Sequence, residues 1–289
     1  MRYLSSMPEL PEVEVVRTGL SSLLLGRKVL SVTAFRANLR YTLPNFSPLF
    51  NQKIKEIRRR SKYLLFDFEG DISENTKNNT SNLQTLVWHL GMTGQFHVLP
   101  KATAAGAHEH VRFDFDDGSS LRYRDARRFG YAGLMAKIDW PQHAWFKRLG
   151  PEPLFDAFDV EYLLSHCLGR KLPIKTLIMD AHVVVGVGNI YAAEALFLAG
   201  IHPARAAGRI SKHRLQTLVN AIKTTLAAAI QAGGSSISDF VQVDGKPGYF
   251  AHSFHVYGRE GEPCTRCDAK IRRIIQAGRS SFYCPNCQH

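Results

Sequence analysis

The sequence predicts an α+β chain in three zones. Three observations carry this: alternating apolar residues recur through the first half, the apolar period turns helical after residue 150, and paired cysteines close the chain. The 289 residues, 45% of them hydrophobic, supply enough apolar material for two or three cores. Near the start, Val13, Val16, Leu20 and Leu23 recur at helical spacing, with Pro11 near the first position and Gly26 past the end. Strand alternation follows at residues 63–68 (YLLFDF), 86–90 (LVWHL), 110–115 (HVRFDF) and 120–124 (SLRYR). Residues 70–82 (GDISENTKNNTSN) are polar and Asn-rich and are predicted to be an exposed hairpin loop. Residues 150–153 (GPEP) mark a boundary. Beyond it, helical spacing appears at Ile174, Leu177 and Ile178, then over 190–199 and 214–232. The expected domains are therefore 7–140, 150–250 and 255–289, with 1–6 as an extension.

Composition narrows the function. There are 37 Lys+Arg against 25 Asp+Glu, a net charge of +12, and the pI is near 9.6. This balance favours a polyanionic partner, nucleic acid before an anionic membrane. Residues 1–7 (MRYLSSM) lack the apolar stretch of a secretory signal. The most apolar window, 183–201, contains Asn189 and Glu194, so no membrane span is expected. The cations are bunched at 53–62, 122–128 and 264–289, the first two with aromatics nearby. One such run reads as a solvated face; three suggest a shared nucleic-acid surface.

The strongest chemical motif is Cys264-x2-Cys267-x16-Cys284-x2-Cys287. Two such knuckles place four thiolates around one zinc, which is favoured over two disulfides because nothing points to secretion. Four thiolates leave no open coordination position, so the zinc is expected to be structural. Cys167 is left over and reads as a small buried hydrophobe. Between the knuckles, residues 271–283 read as two strands joined near Gly278, with Arg279 near the tip. Residues 185–191 (VGVGNIY) open a helix whose free N–H groups suit a phosphate, although a tight interhelical turn is the commoner origin of such glycines.

At residues 7–14 (MPELPEVE), Pro11 and Glu12 suit the first turn of a helix. A chemical reading requires Met7 to be the start and to be removed, which frees the Pro8 amine. A terminal amine titrates near ~8, against about 10.4 for Lys, so part of it is unprotonated at neutrality. It can then attack a sugar C1′ and form an iminium, with Glu9 beside it as acid/base.

The blocks MPELPEVE (7–14), RRRSKYLL (58–65), HLGMTG (89–94), RDARRFG (124–130), LGPEPL (149–154), VVGVGNIYAAEALFLAGIHP (184–203), DGKPGYF (244–250), VYGREGEPC (256–264) and FYCPNCQ (282–288) occur in order over nearly the whole chain. Together they resemble the bacterial formamidopyrimidine-DNA glycosylase family. The resemblance implies an N-terminal two-sheet β-sandwich with flanking helices, a helix–two-turns–helix domain and a C-terminal zinc β-hairpin. It also implies a bifunctional glycosylase and abasic-site lyase that acts on oxidised purines in double-stranded DNA, in base excision repair. Such an enzyme is expected to be a cytoplasmic, nucleoid-associated monomer with one structural Zn2+. Pro8 matches the nucleophile, Glu9 the adjacent proton donor, and Glu12 a supporting carboxylate. Lys62 matches a proton donor in β-elimination and Arg279 an arginine of δ-elimination and phosphate binding. Met92, Arg127 and Phe129 match side chains that fill the gap left by an extruded base. His108, Arg127 and Arg170 match DNA contacts, and Lys175, Asn189 and Tyr249 fall near phosphates.

This chain departs from the family pattern in a few places. Residues 1–6 precede the expected start, Ala126 stands where Pro is common, Arg170 where Lys is common, and 70–82 resembles an insertion. The rival within the class is the endonuclease VIII-like group, which prefers oxidised pyrimidines; PELPEV and DGKPGYF favour the purine branch. With residues 1–6 retained, the expectation becomes a non-catalytic binder of damaged DNA.

Overall fold

The computed structural model describes residues 7–69, 83–235 and 254–289. The extension 1–6, the Asn-rich stretch 70–82 and the block containing Tyr249 lie outside the described residues.

Helix α1 (Leu10–Leu24) begins with Pro11 in its first turn and ends at Gly26, whose φ of +79° suits glycine. It buries Val13, Val16, Leu20 and Leu24. Leu24 takes the place expected for Leu23, which is exposed, because the apolar face rotates with 3.6 residues per turn.

Eight strands follow: β1 (Val29–Ala34), β2 (Lys53–Arg60), β3 (Tyr63–Glu69), β4 (Gln84–His89), β5 (Gly94–Pro100), β6 (Glu109–Phe115), β7 (Ser119–Asp125) and β8 (Tyr131–Ala136). They form two antiparallel four-stranded sheets, ordered β1-β6-β7-β5 and β2-β3-β4-β8. Their facing side chains, including Phe66, Trp88, Phe96, Phe113 and Tyr123, make one core. Ring pairs such as Trp88–Phe96 at 5.2 Å and Trp88–Tyr123 at 4.7 Å knit the two sheets together. The fold is thus the two-sheet β-sandwich of an α+β chain.

The second part is helical: α2 (Val160–Cys167), α3 (Ile174–Ile178), α4 (Asn189–Leu198) and α5 (Lys212–Gln231). Every residue of α4 from Ile190 to Phe197 is buried, as expected of a helix at the centre of its core. The chain closes with the hairpin β9 (Arg272–Gln276) and β10 (Arg279–Tyr283). Its two-residue turn has both φ angles positive, at Ala277 and Gly278. Ile271 and Phe282 of this hairpin region join the helical core, so the hairpin is docked on the helices.

Candidate active site

The start of α1 and the start of α4 are built into each other. Gly188 is the N-cap of α4, and the Glu9 carboxylate occupies the place where a capping side chain would sit. It accepts N–H bonds from Gly188 (2.8 Å), Ile190 (3.0 Å) and Tyr191 (3.4 Å). A carboxylate at a helix N-terminus meets unpaired donors and the positive end of the dipole. Burial nevertheless raises the Glu9 pKa above the usual carboxylate range; the nearby Lys62 ammonium opposes this shift and Glu12 adds to it. A carboxyl shifted in this direction is suited to donating a proton near neutrality.

Glu12 locks the same corner. Its Oε2 accepts the Glu9 N–H at 2.9 Å, and its Oε1 accepts the Tyr191 hydroxyl at 2.5 Å and the Ser235 N–H at 2.9 Å. A Cβ at Gly188 would overlap the Glu9 carboxyl. Gly188→Ala is therefore expected to displace Glu9 and to lower stability by about 1–3 kcal/mol, the usual cost of overpacking, read from the urea midpoint.

Lys62 reaches this corner from the opposite side, on the two-residue turn between β2 and β3. Ser61 adopts φ +57° there, and its N–H donates to Glu152 at 2.7 Å. Arg59 and Arg60 donate to the same carboxylate at 2.6 and 3.0 Å, which fixes the turn and the lysine it carries. Burial lowers the Lys62 pKa; the Glu9 carboxylate opposes this, the Arg279 guanidinium adds to it, and Glu12 opposes it more weakly. Glu9, Lys62, Met92, Asn189, Tyr257 and Arg279 line one cavity of about 360 Å³, which Met7 also borders. Pro8 itself is buried at the start of α1.

The β4–β5 turn and the β7–β8 loop form a single unit. Asp125 accepts from Thr93 Oγ1 at 2.5 Å and from the Gly130 N–H at 2.8 Å, and Thr93 Oγ1 accepts the Arg127 N–H at 3.1 Å. Gly91 is so close to Phe129 and Gly130 that a Cβ would overlap their backbone. Met92 is thereby brought beside the cavity on the same unit as Arg127 and Phe129, which are both exposed. The Arg127 guanidinium lies 4.8 Å from the Phe129 ring centre. His89 supports the turn: its Nδ1 accepts the Gly91 N–H at 3.0 Å and its ring stacks on Tyr131. Burial, then Lys62 and Arg40, push its pKa down to about 3, so the ring stays neutral and able to accept.

The remaining expected contacts are spread more widely. His108 (φ +59°) and Arg170 are exposed on loops. Asn189, expected near a phosphate, lines the cavity, and Lys175, expected there too, is bonded to it. It is buried, and its ammonium donates to Asn189 Oδ1 (2.6 Å), Ser281 Oγ (2.7 Å) and Ser280 O (3.1 Å). Burial holds its pKa down to about 8. Its geometry ties α3 to α4 and to the hairpin.

Two basic runs are also less exposed than their sequence suggests. Arg58 pairs with Asp67 at 2.8 Å, Arg59 with Glu14 at 2.7 Å, and Arg60 with Glu152. Arg122 is fully buried and donates to the carbonyls of Thr103 and Ala104 at 2.6 and 3.0 Å, shaping the loop that leads to His108. Sequence reasoning assigned no role to Tyr257, Tyr191 or Ser235. Tyr257 lies within the block at 256–264, but Glu9 and Asn189, which line the cavity with it, are remote in sequence.

The four thiols of Cys264, Cys267, Cys284 and Cys287 lie within 4.8 Å of one another, with three pairs at 3.4–3.9 Å. Tetrahedral Zn–S bonds of ~2.3 Å require S···S separations of about 3.8 Å, so the set fits zinc. The N–H groups of Arg266 and Cys287 point at Cys264 and Cys284 Sγ, both at 3.4 Å, as thiolate acceptors require.

Three family descriptions match the chain in succession. The formamidopyrimidine-DNA glycosylase N-terminal domain matches residues 7–132, its H2TH domain 149–241, and the zinc finger found in FPG and IleRS 261–289. The cysteine cluster and this last match together give one structural zinc. A formamidopyrimidine-DNA glycosylase from Thiobacillus denitrificans is 49% identical over 284 residues, covering 98% of this chain and 100% of that protein. One from Shewanella loihica is 45% identical over 283 residues, covering 98% and 99%. Among solved structures, the Lactococcus lactis Fpg complex with abasic-site DNA has a TM-score of 0.86 at 33% identity, covering 97% of this chain and 99% of that one. Its complex with Fapy-dG DNA gives 0.85 at 33% identity, covering 97% and 100%. Among the described residues no helix is long and apolar enough to cross a membrane.

Proposed function

Because the chain belongs to the formamidopyrimidine-DNA glycosylase family, we propose that it excises oxidised purines (8-oxoguanine and formamidopyrimidines) from double-stranded DNA and then cleaves the strand at the abasic site. The observation that carries this reading is the convergence of Glu9, Lys62 and Arg279 on one cavity beside Pro8. In this assignment residues 7–140 carry the chemistry, 150–250 and 255–289 grip the DNA, and one chain holds every group named. The enzyme works as a monomer on cytoplasmic, nucleoid DNA.

The roles follow from chemistry and placement. A base must leave the stack before its glycosidic bond can be reached, and Met92, Arg127 and Phe129 fill the vacancy. The free Pro8 nitrogen attacks C1′, forming the N–C1′ bond as the C1′–base bond breaks, and the bonding pair leaves with the base, which takes a proton from the Lys62 ammonium. The proline nitrogen gives up its own proton to solvent, and Glu9 delivers a proton to the sugar ring oxygen as the C1′–O4′ bond opens, which leaves the iminium. Elimination then loses a proton from C2′ to solvent and breaks the C3′–O bond, with Lys62 as proton donor to the departing 3′ phosphate, and Arg279 meets the phosphate on the other side. His108, Arg170 and Tyr249 are assigned to the DNA backbone; Lys175 acts by holding Asn189 there.

Lys62→Ala tests the assignment. Excision of 8-oxoguanine is expected to fall at least about tenfold, with a smaller loss in cleavage of a preformed abasic site, where no base has to depart. Equal losses in the two assays would remove Lys62 from the base-release step.

A further inference from the structure

Helix α4 carries one charged residue, Glu194, and it is buried in an otherwise apolar segment. Among the described residues no Lys or Arg pairs with it. Instead, its carboxylate accepts three consecutive backbone N–H groups: His255 at 2.8 Å, Val256 at 3.0 Å and Tyr257 at 2.8 Å. Three successive donors aimed at one carboxylate form an anion nest, which offsets the cost of burying the charge. An apolar residue here would leave the three N–H groups buried without acceptors.

The tethered segment leads into the cavity. Tyr257 is buried, its ring packs on Phe282 at 5.2 Å, and it lines the same space as Glu9, Lys62 and Arg279. Asn189 lines the same cavity, and burial raises the Tyr257 phenol pKa, which favours its protonated form. Helix α4 therefore holds Tyr257 by its backbone through Glu194, and Asn189 at the start of the same helix lines the cavity beside it. The same helix cradles Glu9 at its N-terminus.

We infer that Glu194 is a positioning residue, which holds Tyr257 against the wall of the cavity so that the cavity keeps the shape an everted base requires. The inference rests on the glycosylase reading above. It separates the two activities, since holding a base matters for excision and not for cleavage of a site that has already lost it.

The test compares Glu194→Gln, Tyr257→Phe and the double variant on full-length protein. Glu194→Gln keeps the size of the side chain but loses the charge, and its amide nitrogen faces N–H donors. Excision of 8-oxoguanine is expected to fall about tenfold in Glu194→Gln, within the range for losing a hydrogen bond to a charged group. Cleavage of preformed abasic DNA should stay within about twofold. The double variant should be no slower than the worse single variant, as required if Glu194 acts by placing the Tyr257 phenol. Independently of activity, amide exchange at residues 255–257 should speed up in Glu194→Gln. Parallel loss of both activities, loss of the bound zinc, multiplicative effects in the double variant or unchanged exchange would overturn the assignment. A wild-type protein that forms no adduct with abasic DNA, but whose exchange responds to Glu194→Gln, would fault the glycosylase reading and leave the tether intact.

Discussion

Borohydride reduction of a chain that begins at Pro8, incubated with duplex DNA bearing 8-oxoguanine, is expected to yield a covalent protein–DNA adduct, and a chain that begins at Met1 none. The difference lies in one bond. When Met7 precedes it, the Pro8 nitrogen belongs to an amide whose lone pair is delocalised into the carbonyl. Freed, it is a secondary amine that titrates near ~8, and its unprotonated form can condense with C1′, which is already at the aldehyde oxidation level, to give the iminium. The fold is prepared for this change, since Met7 borders the cavity while Pro8 is buried just behind it, next to the Glu9 carboxyl. Pro8→Gly in the shorter chain retains an amine and is expected to slow base removal by about tenfold, a barrier increase of ~1.4 kcal/mol. Denaturing gel electrophoresis after reduction reads both outcomes. An adduct of equal yield from the two chains would place the nucleophile elsewhere, with Lys62 the first alternative because its pKa is also lowered.

The parts of the molecule that were legible in sequence are those whose cause is local. The four cysteines carry their spacing with them, and the hairpin between them is marked by alternation and by Gly278. Strands β3, β4, β6 and β7 show their apolar period directly. Strand β2 does not, because its cations read as part of a shared nucleic-acid surface; only the distant acids Glu14, Asp67 and Glu152 explain why Arg58, Arg59 and Arg60 sit in a folded sheet. The burial of Lys175 is not visible locally for the same reason, since its acceptors on the hairpin are more than 100 residues away. Position at the cavity could be inferred for Glu9 and Lys62 only through resemblance. No periodicity indicates that α1 and α4 meet end to end, or that Gly188 lacks a side chain to make room for Glu9.

Removing the metal should have the other large effect. Treating the protein with a strong chelator is expected to release one zinc per chain and to abolish DNA binding at concentrations that saturate the zinc-bound form. An isolated two-stranded hairpin is marginal in water, and β9–β10 has only five residues in each strand. Zinc bound by thiolates contributes about 10–16 kcal/mol in small fingers, comparable to the whole stability of a typical domain. Without it, Ser280 and Ser281 leave Lys175, whose buried ammonium then loses two of its three acceptors. Arg279 leaves the cavity together with Lys270, Arg272 and Arg273, so any residual binding should show a salt slope smaller by about one for each phosphate that no longer meets a cation. The sandwich core shares no residue with the hairpin and should keep its cooperative unfolding transition. Undiminished binding by the metal-free protein would show that the sandwich and helices grip DNA alone, and would remove the hairpin from the interface.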